Sequence, residues 1–111
     1  AKGEWGKALP ALREASRLDP EAAHVSFYRG TCALLAGRSA EAVESLRRVV
    51  ALGENPLLEE AHFFLAKAHL GTGDLMAAEA ELTKTIELGG SRGDEAQRLL
   101  GELKRVRPRS P

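Results

Sequence analysis

Four sets of residues in this chain recur at one pair of spacings. Gly3, Gly37 and Gly73 are separated by 34 and then 36 residues. The same two steps relate Ala8, Ala42 and Ala78, then Leu12, Leu46 and Leu82, and again Leu18, Leu52 and Leu88. A period of this size defines one supersecondary unit that cannot bury its apolar face alone, so copies must stack side by side. The two extra residues of the second step fall in Gly53-Glu54-Asn55-Pro56, a run of turn formers.

Each unit reads as two helices. In the second, a helix A spans about 22–36 and a helix B about 39–52. In helix B, Ala42, Val43, Leu46, Val49 and Val50 follow the i, i+3, i+4, i+7 spacing of one buried face. Ser39, followed by Ala40 and Glu41, offers an N-cap-like start. The third unit repeats the pattern, with helix A at about 58–70 and helix B at about 75–88. Its buried set is Leu75, Ala78, Leu82 and Ile86. Gly30 and Ala66 are small mid-helix residues one repeat apart, which predicts a close approach of helices there. Gly89-Gly90 supplies left-handed backbone to end the last B helix. The expected fold is all-α, a superhelix of antiparallel helix pairs.

The chain's 111 residues fit a single domain, 1–111, or a piece of a longer array. With 43% hydrophobic and 29% charged residues it has the composition of a folded protein, and with 5% aromatics the core must be aliphatic. Sixteen Lys and Arg balance sixteen Asp and Glu, so no basic footprint for nucleic acid exists. No apolar run approaches the ~18 residues of a membrane span, which excludes insertion by this segment. The start at Ala1-Lys2 suggests a fragment or a processed terminus, with any anchor lying upstream.

The residues carry a resemblance to the tetratricopeptide repeat family. Gly3-Glu4-Trp5 through Ala8, Leu12 and Ala15 to Leu18-Asp19-Pro20 resembles a complete helix B with its Asp-Pro ending. Phe27, Gly30, Ala33, Gly37, Ala42 and Leu46 match a second repeat. Phe63, Ala66, Gly73-Asp74, Ala78 and Leu82 match a third. The resemblance divides the chain into helix B of a partial first repeat at 3–20, a second repeat at 22–54, a third at 57–90 and a capping helix at 92–106. The capping helix would bury Leu99 and Leu103 against the open end of the array. The departures are local. The first repeat lacks its helix A, and Pro10 and Gly6 should kink or shorten its helix B. Val49 and Thr85 replace the second Ala of helix B, and Arg29 stands where a Leu is usual.

Chemistry is absent from the pattern. His62 and His69 are seven residues apart, about 10.5 Å along a helix, too far to share a metal ion. They and His24 read as surface or groove residues. Cys32, before Ala33-Leu34-Leu35, reads as a small core residue. Gly71-Thr72-Gly73 reads as a helix–helix turn, because no strand precedes it. Glu59-Glu60 and Glu79 with Glu81 read as helix-opening carboxylates. No catalytic, cofactor-binding or metal-binding residue is expected, and no enzymatic activity. The basic run from Lys104 to Arg109 reads as a helix C-terminus and solvated tail, with an acidic partner or membrane surface as the alternative.

The resemblance implies that the A helices line a concave groove that binds a protein or peptide partner. The expected groove residues are His24, Phe27, Tyr28 and Thr31, then Glu60, Phe63, Phe64 and Lys67, then Asp94, Gln97 and Arg98. Phe27 and Phe63, 36 residues apart, either stack in the groove or are packing residues, with one aromatic of each Phe27/Tyr28 and Phe63/Phe64 pair exposed. A carboxylate clamp is not expected, because Phe27, Phe63 and Thr31 occupy the places where Lys or Asn would be needed. Two alternatives stand beside groove binding. One is self-association through Trp5, Leu9 and Leu12 of the first helix. The other is service as the repeat part of a larger membrane-anchored bacterial protein. The expected compartment is cytoplasmic, or periplasmic if a membrane helix lies upstream.

Overall fold

A computed structural model describes residues 2–106. It contains six helices: α1 (Lys2–Leu18), α2 (Ala23–Leu35), α3 (Ser39–Ala51), α4 (Leu58–Thr72), α5 (Leu75–Leu88) and α6 (Gly93–Val106). Of the basic run, Lys104 and Arg105 lie in the last turn of α6, while Arg107 and Arg109 lie outside the described residues. Each helix packs against the next through short loops, and α2 also touches α4. The helices therefore alternate between two layers, with α2, α4 and α6 in one and α1, α3 and α5 in the other. The array is elongated, 46 × 29 × 24 Å. No described helix is long and apolar enough to cross a membrane.

The core comes in two clusters that share α4. Leu9, Cys32, Ala33, Ala42 and Leu46 meet Leu65 and Ala68 of α4. On the other side, Phe63 and Ala66 of α4 meet Ala78, Leu82, Ala96 and Leu103. Helix α4 is thus buried on several faces, which is why its apolar residues run together instead of tracing one stripe. Each fully buried Leu contributes about 1.5–3 kcal/mol. Cys32 belongs to this core as expected, and burial pushes its thiol pKa up. Gly30 marks a close approach of α2 to α3, since a Cβ there would lie 2.6 Å from Cγ of Leu46.

The helix ends show where local signals were misleading. Ser39 is the first helical residue of α3 and not its cap. Arg38 holds the N-cap position, and no side chain caps it. Asp74 does cap α5, accepting from the Ala77 amide at 3.1 Å. Of the Gly89-Gly90 pair only Gly89 takes a left-handed conformation, with φ 69°. Glu59 and Glu60 lie in the first turn of α4. Glu79 and Glu81 do not open α5, which begins at Leu75 with no acidic residue in its first turn. Helix α1 runs through Pro10 without ending. Pro10 faces solvent, and the carbonyl deprived of its amide partner is that of Gly6, so the lost hydrogen bond costs no buried group.

Candidate functional site

The layer formed by α2, α4 and α6 carries the aromatic residues. Tyr28, Phe27, Phe64 and Phe63 form a chain of edge-to-face contacts, with centroid separations of 6.0, 6.0 and 5.5 Å. The link between helices is Phe27 to Phe64, and not Phe27 to Phe63 as the spacing suggested. The chain runs from surface to core, because Tyr28 is 55% exposed and Phe63 only 1%. Phe27 and Phe64 are half-buried between them.

Two cavities flank Phe64 and Phe63. One, of about 330 Å³, lies between α2 and α4 and is lined by Thr31, Leu34, Leu35, Phe64 and Lys67. The other, of about 310 Å³, lies between α4 and α6 and is lined by Phe63, Lys67, Glu95, Arg98, Leu99 and Glu102. Lys67 stands in the wall between them. The first cavity is apolar except for Thr31 and the Lys67 ammonium; the second is mostly charged. Arg98 also borders a shallow depression with Asp94 and Gln97. The structure therefore gathers Thr31, Phe64, Lys67, Gln97 and Arg98 along one face, with Tyr28 beside them. His24 is exposed at the start of α2 and lines none of these cavities.

Arg92, in the loop before α6, organises this face from below. Its guanidinium donates to Glu60 at 3.0 Å and to Glu95 at 2.8 Å, and its backbone amide donates to Glu59 at 3.3 Å. The Glu60 hydrogen bonds, against a smaller effect of burial and aided by Glu95, raise the Arg92 pKa further. The same guanidinium lies 4.9 Å from the Phe63 ring centre, and the Lys67 ammonium lies at the same distance. Two cations thus hold the Phe63 and Phe64 rings in place. Glu60 is consumed by Arg92 and is not free to meet a partner. Lys67 and Arg98 have no ion pair among the described residues.

The histidines fall elsewhere than expected. His62 and His69 are buried. His62 Nδ1 lies 3.0 Å from Glu81, tying α4 to α5. Only His24 is at the surface. Among the described residues no group of three or more His, Cys, Asp or Glu could hold a metal ion. Of the α1 residues expected to be uncovered, Leu9 is fully buried, Leu12 is half-buried and Trp5 is exposed. Arg92, Leu34 and Leu35 were missed by pattern reading. Arg92 sits outside any helix, and the two leucines looked like continuation of the core run.

The family model for the tetratricopeptide repeat matches residues 1–57. The chain belongs to the tetratricopeptide repeat family. A solved structure titled "Crystal structure of MamA" is similar to this chain, with a TM-score of 0.82 at 25% identity. The match covers 94% of this chain and 59% of the MamA chain, so this chain spans about three fifths of that protein's length. No curated protein matches the sequence. The fold is a helical solenoid of this family's type, and proteins of the family generally mediate protein–protein interaction, typically as non-enzymatic scaffolds.

Proposed function

We propose that this chain is a non-enzymatic interaction module that takes a short peptide or helix of a partner protein in the groove of α2, α4 and α6. The observation that carries this reading is the pair of adjoining cavities with Lys67 in their shared wall. The apolar cavity has room for one aliphatic or aromatic side chain. The neighbouring one offers Lys67 and Arg98, cations without an ion pair among the described residues, to a partner's polar groups. An apolar anchor beside fixed charges is what specific peptide recognition needs. The aromatic and aliphatic walls are rigid, because Phe27, Phe64 and Phe63 brace one another, which reduces the entropy lost on binding.

The test is a peptide-display selection on the wild-type chain, followed by binding of the selected peptides to a Tyr28→Ala/Leu35→Ser/Lys67→Ser variant. All three side chains are exposed, so the fold should persist. Loss of binding with unchanged helical circular dichroism supports the groove. Undiminished binding would rule it out.

A second reading, self-association through α1, is favoured by one observation, the exposed Trp5 indole. Light scattering on the wild type and Trp5→Ser decides it. A dimer abolished by the substitution supports it, and a monomer at every concentration counts against it.

A further inference from the structure

The three leucines that recur at the end of each helix B are not core residues. Leu18 and Leu88 are the last residues of α1 and α5, Leu52 is the C-cap of α3, and they are 69%, 46% and 37% exposed respectively. Because the helices alternate in direction, these three ends and the loops that follow them lie along one edge of the array. A leucine at a helix end often packs against the chain that follows it. Here each leucine still keeps between 37% and 69% of its surface in solvent, so that role accounts for only part of it. A cavity of about 320 Å³ opens on this edge, where Leu88 and Gly90 meet Glu54, Asn55, Pro56, Leu58 and Glu59.

The charge along this edge is one-sided in a chain whose total is zero. Segments 17–22, 52–60 and 87–95 hold eight carboxylates and two arginines. Part of the excess has an internal explanation. Glu59, Glu60 and Glu95 start helices, where the macrodipole favours them, and all three bond to Arg92. Arg17 is engaged by Glu14. Asp19, Glu21 and Glu54 are different. They lie in the loops beside Leu18 and Leu52, all are exposed, and none has an ion pair among the described residues. A periodic apolar row with unpaired carboxylates beside it is complementary to a segment of the opposite character.

We propose that this edge is a second docking surface, separate from the groove, and that its occupant is a basic amphipathic helix of a partner protein. Apolar side chains of that helix pack on Leu18, Leu52 and Leu88, with one entering the cavity beside Leu88. Its Lys and Arg residues meet Asp19, Glu21 and Glu54. A second copy of this chain is the competing occupant.

The probe is a labelled synthetic helix of about 18 residues, ~27 Å long, with a leucine face and a lysine face. Its control keeps the leucines and replaces every lysine by glutamate. Fluorescence anisotropy is read against the wild type, against Leu18→Ser/Leu52→Ser/Leu88→Ser, against Asp19→Asn/Glu21→Gln/Glu54→Gln, and against the groove variant above. The expected result is binding of the lysine helix alone, weakened by salt. Each edge variant should weaken it at least about tenfold, with the groove variant unchanged. The carboxylate-to-amide variant changes only exposed loop residues and keeps the test valid should the leucine variant fail to fold. Equal binding of both helices, no binding, or binding indifferent to the amide variant would overturn the proposal. So would light scattering in which the leucine variant dissolves a wild-type oligomer, since a second copy would then hold the edge. Loss in the groove variant alone would return the site to the groove and leave the first proposal standing.

Discussion

The Arg13 guanidinium of α1 donates to both carboxylate oxygens of Glu41 in α3, 28 positions away in sequence, at 2.8 and 2.6 Å. Arg29 of α2 adds a third bond to the same carboxylate at 3.1 Å. One acidic side chain thereby ties the first three helices together. The Arg at position 29, where the family favours Leu, is part of this network and not a lapse in the core.

The Arg13 hydrogen bonds, against a smaller effect of burial and aided by Arg29, lower the Glu41 pKa from 4.5 to about 2. The folded value is depressed, so the stabilisation is fully present above pH 4.5 and is lost as pH falls toward 2. Arg13 faces solvent, which screens the pair, so Glu41→Gln should cost about 2 kcal/mol at pH 7. Urea melts from pH 7 to pH 2 should show wild-type stability falling in the acid range more steeply than that of the variant. Parallel curves would show that Glu41 is not the titrating group.

Gly30 and Gly101 should respond in opposite senses to the same change. At Gly30 the new methyl would meet the branched end of Leu46 at 2.6 and 2.9 Å. Gly30→Ala should therefore cost about 1–3 kcal/mol, outweighing a helix-propensity gain of ~1 kcal/mol. At Gly101, inside α6, nothing lies within 4 Å of the added atom. Gly101→Ala should stabilise by about 0.5–1 kcal/mol. Chemical denaturation of the two variants checks both signs. Stabilisation by Gly30→Ala would mean that α2 and α3 are less tightly apposed than described.

The helices were legible in the sequence because their period was repeated, and a buried face every 34 to 36 residues admits few architectures. What the period could not decide was the burial of adjacent residues. Phe27 and Phe63 are equivalent by spacing, yet Phe63 is buried and Phe27 only half-buried. Phe63 lies in the cluster that Ala96 and Leu103 of α6 close, whereas Phe27 packs at the margin of the other cluster, so equivalent positions meet unequal surroundings. Arg92 was invisible for another reason. A loop residue has no periodicity, and its role depends on carboxylates 32 positions away.

This inequality separates stability from recognition among the aromatics. Phe63 is a core residue, so Phe63→Ala should destabilise by about 3–5 kcal/mol. Tyr28 is exposed and makes one ring contact, so Tyr28→Ala should change stability by less than about 0.5 kcal/mol. Thermal melts of the two variants test the contrast. Equal losses would place Tyr28 in the core and remove it from the groove.

Pro10 lies in the interior of α1, where it leaves the Gly6 carbonyl without its intrahelical donor. The residue is exposed, so its replacement meets no packed neighbour. Pro10→Ala restores the amide and a better helix former, and should stabilise the chain by about 1–3 kcal/mol. The gain should be concentrated in α1. Hydrogen exchange should slow at the amides around residues 9–13 more than in α4, which the substitution does not touch. Uniform slowing across all six helices would instead show that α1 unfolds only together with the whole array. Unchanged stability would show that the proline's lost hydrogen bond and ring clash are already relieved by bending at Gly6.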